Sequence, residues 1–364
     1  MKSQFASHVP RLLRIIPQFR RMRVGVLGDL MLDRYLWGTA NRLSPEAAVP
    51  VVDFVSQTDC LGGAGNVAAN LRGLGVQVEI FGVVGGTGSG SKTRDDAAGH
   101  VLRACFRSSG IGQRGLFSDH RRVTTVKTRV IARHQQIVRI DQERRDPLHP
   151  ETEENLFRAL LASLRKLDAL VLSDYDKGLI NDGFVDRVLN ACHRNKISVF
   201  VKPKTSRLCA YRGARAIVCN AKEAANYVMR PLRNEQSIVE AGQALLAQFG
   251  CAAAVITRGE QGMNIFEEGA SSPLHIPATS FEISYARVGQ PGVSREAAGR
   301  QVFDVTGAGD TVLSVLCLAA AAGATIQDAA LLANTAAGVV VGKLGTAGLS
   351  PEELVAALKE IYPR

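Results

Sequence analysis

The chain has 364 residues, 46% hydrophobic and 21% charged, a composition that fits a packed globular protein and excludes a disordered one. Its net charge of +10 is spread in short clusters, and aromatics are only 5%, so a stacking platform for nucleic-acid bases is excluded while small phosphorylated ligands remain open. Seven cysteines with no Cys-x-x-Cys spacing and no accompanying histidine cluster exclude a zinc site and a disulfide framework, and they point to a reducing cytoplasm.

The N-terminal 22 residues are basic. Pro10, Arg11, Arg14 and Pro17 interrupt any apolar run, so the segment is no signal peptide. Leu12, Leu13, Ile15 and Ile16 predict a short amphipathic helix packed on the body. No stretch reaches the roughly twenty apolar residues that a membrane span needs. Residues 23–28 predict a buried strand ending at Gly28-Asp29. Residues 49–55, 124–132 and 136–141 alternate or are β-branched and predict a small, partly exposed sheet. Gly62-Gly63-Ala64-Gly65-Asn66 opens a helix that runs to Leu74 and stops at Gly75.

Further strands are predicted at 76–84, 169–173, 197–201, 216–219 and 252–257. Helices are predicted at 151–166, 181–195 and 238–249, with three more after Gly307, at 326–342 and at 351–361. This alternation predicts an α/β fold with a mostly parallel sheet covered on both faces. Ligands in such sheets bind at the carboxyl ends of the strands, which here carry Asp29, Asp174, Asn220 and Thr257. Residues 85–92 and 284–299 read as loops. The first nearly spells a phosphate loop, but Ser91 separates Gly90 from Lys92 and spoils the register of backbone amides. His134 and His193 stand alone and read as surface or hydrogen-bonded side chains.

The most informative stretch is Asp304-Val305-Thr306-Gly307-Ala308-Gly309-Asp310-Thr311, followed by an apolar run. It predicts a tight turn into a buried helix. A helix start leaves amides unpaired and carries partial positive charge, so Gly307, Ala308 and Gly309 predict an anion hole. Asp310 follows in the first turn, where a carboxylate can take a proton from an attacking hydroxyl.

These strings resemble those of the ribokinase-like (PfkB) sugar kinases, and more narrowly the D-glycero-β-D-manno-heptose 7-phosphate kinases of lipopolysaccharide-core synthesis. The resemblance runs from about Arg23 to the C-terminus. Its carriers are the Gly28–Tyr35 string, residues 44–52, residues 62–68, residues 172–178, residues 257–263, the Gly-Ala-Gly-Asp motif and residues 336–346. It implies a three-layer ribokinase-like sandwich with a small β-sheet lid, the lid strands falling within about 34–60 and 123–141 of a kinase domain over 23–364. Asp310 is implied as the base. Asn220, Glu223, Thr257, Gly259, Gly262 and Asn334 are implied around ATP, with Glu223 toward Mg²⁺, directly or through water. Asp33, Gly62, Gly63 and Asn66 are implied at the sugar hydroxyls, and Lys127, Arg129, Gln136 and Lys177 near the sugar phosphate. A monovalent cation beside the anion hole and a homodimer through paired lids belong to the same implication.

The chain departs from the family pattern at three places. Lys202-Pro203-Lys204 stands where Asp-Pro-Lys is expected, His134 replaces an asparagine, and the 284–299 insert precedes the catalytic segment. No His-x-Gly-His signature of a nucleotidyltransferase is present, so the expectation is a kinase alone. Two alternatives stay open: a ribokinase-like kinase for another sugar phosphate or a nucleoside, and a sugar-phosphate-binding regulator without turnover.

Overall fold

The computed structural model describes residues 2–88, 93–133, 135–204, 211–279, 307–343 and 348–363. A 3-10 segment (Lys2–His8), helix α1 (Val9–Ile15) and a second 3-10 segment (Ile16–Arg21) come first. Val9, Leu12, Ile15, Ile16 and Phe19 turn into the main core, while Arg11, Arg14 and Arg20 stay outside. The basic N-terminus is thus one more amphipathic layer of the body, as its apolar spacing predicts.

The chain continues through β1 (Arg23–Gly28), β2 (Leu30–Leu43), β3 (Pro50–Gly63), α2 (Ala64–Gly73), β4 (Gln77–Thr87), β5 (Arg94–Asp95), α3 (Ala97–Ser108) and β6 (Gly112–Asp119). Next come β7 (Thr125–Ala132), β8 (Gln135–Gln142), α4 (Pro150–Leu164), β9 (Ala169–Ser173), α5 (Asp182–Arg194), β10 (Ser198–Lys202), β11 (Ala216–Asn220), α6 (Ala221–Tyr227) and α7 (Glu235–Phe249). The last elements are β12 (Ala253–Thr257), β13 (Met263–Glu267), β14 (Leu274–Ile276), α8 (Ala308–Ala321), α9 (Ile326–Val340) and α10 (Pro351–Ile361).

Two sheets result. The large one runs β14-β13-β12-β11-β10-β9-β1-β4-β5, with β6 also on β4. It is parallel from β12 through β6, and its antiparallel partners are β13 and β14 at one edge and β5 at the other. Strand residues alternate between two cores. Val24 and Val26 face α2, α3 and α8–α10, whereas Leu27 faces α4–α7 on the other side. That period of two follows from the pleat. Cys192, Cys219, Cys251 and Cys317 are buried among these apolar side chains.

The small sheet runs β3-β2-β7-β8 and leaves the body at the end of β1. It is a twisted ribbon with many half-exposed side chains. Sequence reading found only part of it: β2 and β3 are 14 residues each, far longer than the 49–55 strand. Gly38, Asn41 and the charged residues of these strands break any apolar run, and pairing rather than burial holds them extended. Helix α3, strands β6, β13 and β14 and the short α6 were also not anticipated. In α3 only Gly99, Leu102 and Phe106 are buried, too narrow a stripe to read. In β6 the glycine at 115 blurs the strand signal, and it is needed there because a Cβ would overlap the Phe81 ring. Residues 284–299, His134, Asp304, Val305 and Thr306 lie outside the described residues.

Candidate active site

Helix α8 is apolar around its whole circumference and buried, packed on α2, α9 and strands β9, β10 and β11. Such a helix has no face to give to solvent, so its amino end opens at the carboxyl ends of those strands. Gly307 is the N-cap with φ 89°, a left-handed conformation that favours glycine. Its carbonyl accepts the amides of Asp310 and Thr311, both at 3.0 Å. Among the described residues, nothing accepts from the amides of Ala308 and Gly309. The predicted anion hole and the predicted base therefore sit on one helical turn.

Asp310 is buried and held by three neighbours. Asn66 of α2 donates to Oδ2 at 2.9 Å. The Tyr175 hydroxyl donates to Oδ1 at 2.7 Å, and Lys202 at the end of β10 places its Nζ 2.6 Å from the same oxygen. Lys202 Nζ also lies 3.2 Å from the Tyr175 oxygen. A carboxylate offers about four lone-pair sites. Among the described residues three are taken, two on Oδ1 and one on Oδ2. Burial works against the Lys202 ammonium, but the charge of Asp310 outweighs it and holds the lysine protonated well above its ordinary range. Burial and then the Asp310 charge push the Tyr175 hydroxyl upward too, so it stays a neutral donor.

The loop that carries Tyr175 is organised from below by Asp29, at the end of β1. Its carboxylate accepts the amides of Tyr175 (2.8 Å), Lys177 (3.1 Å) and Leu179 (3.4 Å). Burial and the neighbouring Asp174 raise its pKa to about 6, although those amides pull the other way.

The lid supplies the next group. Asp33 on β2 pairs in register with Lys127 on β7, and Tyr35 with Arg129. Arg129 donates to Asp33 at 2.6 Å and lies over the Tyr35 ring. Gly62 sits opposite Met31 in β3, and a Cβ there would overlap the Asp33 carboxylate. Gly63, with φ 59°, packs against the Asp29 carbonyl at the start of α2. Lys127 is paired with Asp141 (3.0 Å) and Glu143 (3.4 Å), and Lys177 with Glu143 (2.8 Å). Burial raises the Glu143 carboxyl, but the Lys177 hydrogen bond and both lysine charges outweigh that and hold it below the usual range. Gln136 is exposed on β8, in register with Ile131.

At the other end, a cavity of about 450 Å³ opens between the ends of β11 and β12. Asn220, Lys222, Arg233, Thr257 and Gly259 are among its walls. Gly259 has φ 58° and open space where a Cβ would stand. Asn220 and Glu223 cap each other: Asn220 accepts the Glu223 amide at 2.8 Å, and Glu223 accepts the Asn220 amide at 2.9 Å.

The structure brings Asp310, Gly307, Ala308, Gly309 and Asn66 together, with Asp33, Gly62, Lys127, Arg129 and Lys177 on the lid side. Three residues have other surroundings than those the sequence suggested. Gly262 does not line the cavity; a Cβ there would overlap the Ile276 carbonyl, so strand packing explains the glycine. Asn334 spends its amide on the Pro277 carbonyl at 2.9 Å. Asn66 is engaged with Asp310. Sequence reasoning gave no role to Tyr175 or Glu143. Tyr175 stands one residue past a strand-end aspartate, a position that signalled it; Glu143 lies two residues beyond the predicted lid strand and carried no signal.

The pattern of pfkB family carbohydrate kinases matches residues 23–353. The chain belongs to that family. It is a carbohydrate kinase with a ribokinase-like fold. It is similar to the bifunctional protein HldE of Geotalea uraniireducens, 42% identical over 344 residues that make up 94% of this chain and 64% of that protein. It is also similar to HldE of Geobacter sulfurreducens, 43% identical over 92% of this chain and 62% of that one. The kinase thus spans under two thirds of the length of these relatives. Among solved structures, E. coli phosphofructokinase-2 in complex with substrates and products superposes with a TM-score of 0.71 at 16% identity, over 93% of this chain and 99% of that one. Arabidopsis thaliana ribokinase complexed with ribose and ATP gives 0.68, also at 16%, with the same coverage. At that identity the likeness concerns the fold.

Proposed function

We propose that this kinase transfers the γ-phosphoryl group of ATP to the anomeric hydroxyl of D-glycero-D-manno-heptose 7-phosphate, giving the 1,7-bisphosphate for ADP-heptose and lipopolysaccharide-core synthesis. The observation that carries the reaction is a buried carboxylate one residue past a helix start at which, among the described residues, one carboxylate lone pair and the amides of Ala308 and Gly309 have no partner. In this reading the sugar oxygen attacks the γ-phosphorus, its proton passes to Asp310, the bond to the β–γ bridging oxygen breaks, and ADP leaves. The Ala308 and Gly309 amides hold the transferring group, which is positioning and charge stabilisation rather than covalent catalysis. Asp33 holds sugar hydroxyls. Lys127, Arg129 and Lys177 meet the sugar phosphate, and identity above 40% to the HldE proteins supports heptose as the sugar.

The cavity beside Asn220, Thr257 and Gly259 receives the nucleotide. Among the described residues no cluster of three or more metal-ligating side chains exists. A donor set this sparse fits Mg²⁺, which keeps its waters and binds through substrate phosphates and one or two carboxylates. Glu223 is the carboxylate we assign to it, through water. No described helix is long and apolar enough to cross a membrane, and we assign the enzyme to the cytoplasm. Residues 23–364 make the kinase domain. The exposed apolar side chains Trp37, Phe54, Val55, Val138 and Ile140 on the lid strands support a homodimer in which two lids cover each other.

The test is turnover with Mg-ATP and heptose 7-phosphate, followed by phosphorus NMR of the product. A new anomeric phosphate is expected. Inactivity on the heptose with turnover of fructose 1-phosphate or a nucleoside would replace the substrate.

A further inference from the structure

We propose that Lys202 is a catalytic residue whose charge is masked by Asp310 in the resting enzyme and released onto the transferring phosphoryl group when Asp310 takes the sugar proton. The proposal rests on Asp310 being the base of a phosphoryl transfer, as argued above, and not on which sugar is used.

Three observations carry it. The first is position. Lys202 Nζ is 2.6 Å from Asp310 Oδ1 and lies 3.5 Å from where a Cβ on Gly309 would stand. The ammonium therefore lies beside both the Asp310 carboxylate and the backbone of Gly309, at the helix start where a transferring group would be held. The second is confinement. The lysine side chain is largely buried, its amine is within hydrogen-bond reach of Tyr175 and over that ring, and both groups bond the same carboxylate oxygen. A buried ammonium is held there only by its partner. The third is a charge count. With Asp310 ionised, Lys202 and Asp310 sum to zero, and the site shows an incoming triphosphate little net charge from this pair. The sugar proton makes Asp310 neutral at the moment negative charge gathers on the phosphoryl oxygens. Lys202 is then no longer compensated by Asp310, and the charge gathering on the phosphoryl oxygens takes over as its counter-charge. A cation felt in the transition state but hidden in the ground state raises kcat without tightening substrate binding.

Such a device gives a signature unlike that of a simple phosphate-binding lysine. Lys202→Met is expected to lower kcat by about 10²–10³-fold, the effect of losing one preorganised donor, with KM for ATP little changed. Lys202→Arg, which keeps the charge, is expected to recover a measurable part of that loss. The second arm needs no sugar. In Asp310→Asn the lysine is unmasked permanently, so calorimetry should find ATP bound about tenfold more tightly relative to ADP than in the wild type. Adding Lys202→Met to Asp310→Asn should abolish that gain. Failure of heptose 7-phosphate as a substrate would leave this arm intact. Two results would overturn the proposal. One is turnover by Lys202→Met equal to or above wild type, which would make the lysine a brake on the base. The other is an unchanged preference for ATP over ADP in Asp310→Asn.

Discussion

Asp29 shows how one buried carboxylate organises the loop that carries Tyr175 and what that costs. Its pKa is raised from 3.8 to about 6, mainly by burial and then by Asp174. An acid that holds its proton more tightly folded than unfolded makes stability fall as pH rises between those values. The cost begins near pH 4, is complete above about pH 6, and amounts to about 3 kcal/mol at pH 7. Asp29→Asn keeps an acceptor for a loop amide and does not ionise. Its thermal stability is expected to lose the downward trend between pH 4 and 6, and a slope as steep as wild type would assign that trend to other groups. The residue scale also marks where reading the sequence stops. Gly307, Ala308, Gly309 and Asp310 were legible because the chemistry of a helix start lies within a few consecutive positions. The Lys202–Asp310 pair was not, because its members are 108 residues apart and only the fold makes them neighbours. Lys202 was visible as a sign change, without a partner to interpret it. The same holds for Glu143, which lies 34 residues from the lysine it meets at 2.8 Å.

Among elements, the parallel strands and their covering helices, apart from β6, α3 and α6, were legible because each buries a continuous apolar face and ends at a turn signal. The lid ribbon was only partly so, since strands open to solvent need no apolar alternation. Helix α9 illustrates an element whose sequence propensity misleads. Gly338 in its interior should cost roughly 1 kcal/mol relative to alanine by intrinsic propensity. A Cβ there would overlap the Thr279 carbonyl, however, on the segment that Asn334 ties to the same helix through Pro277. Backbone cannot swing aside as a side-chain tip does, so overpacking of about 1–3 kcal/mol should exceed the propensity gain. Gly338→Ala is therefore expected to lower the urea midpoint with an unchanged slope. A stabilised variant would mean that the 277–279 segment moves away from α9 at little cost.

The whole molecule is closed by its first residues. The Phe5 ring meets Tyr362 edge-on just beyond α10, and His8 and Arg11 both reach Asp328 in the first turn of α9. The Asp328 side chain is fully buried, whereas Arg11 keeps 54% of its side chain in solvent. Burial raises the Asp328 carboxyl, and the Arg11 and His8 hydrogen bonds more than offset that and hold it below the usual range. The two sides of this cluster should therefore respond unequally to mutation. Asp328→Asn leaves the Arg11 guanidinium, which water can solvate, and its loss is a hydrogen-bonded charge at a helix start, about 1–2 kcal/mol. The double substitution His8→Ala with Arg11→Ala strips a buried carboxylate of both of these partners, which by comparison with broken buried pairs costs about 3–5 kcal/mol. Urea unfolding of the two variants at neutral pH compares them directly. The double variant should be the less stable. If Asp328→Asn proves equally or more damaging, the N-terminal segment is held by its apolar residues alone, and its basic side chains are surface charge.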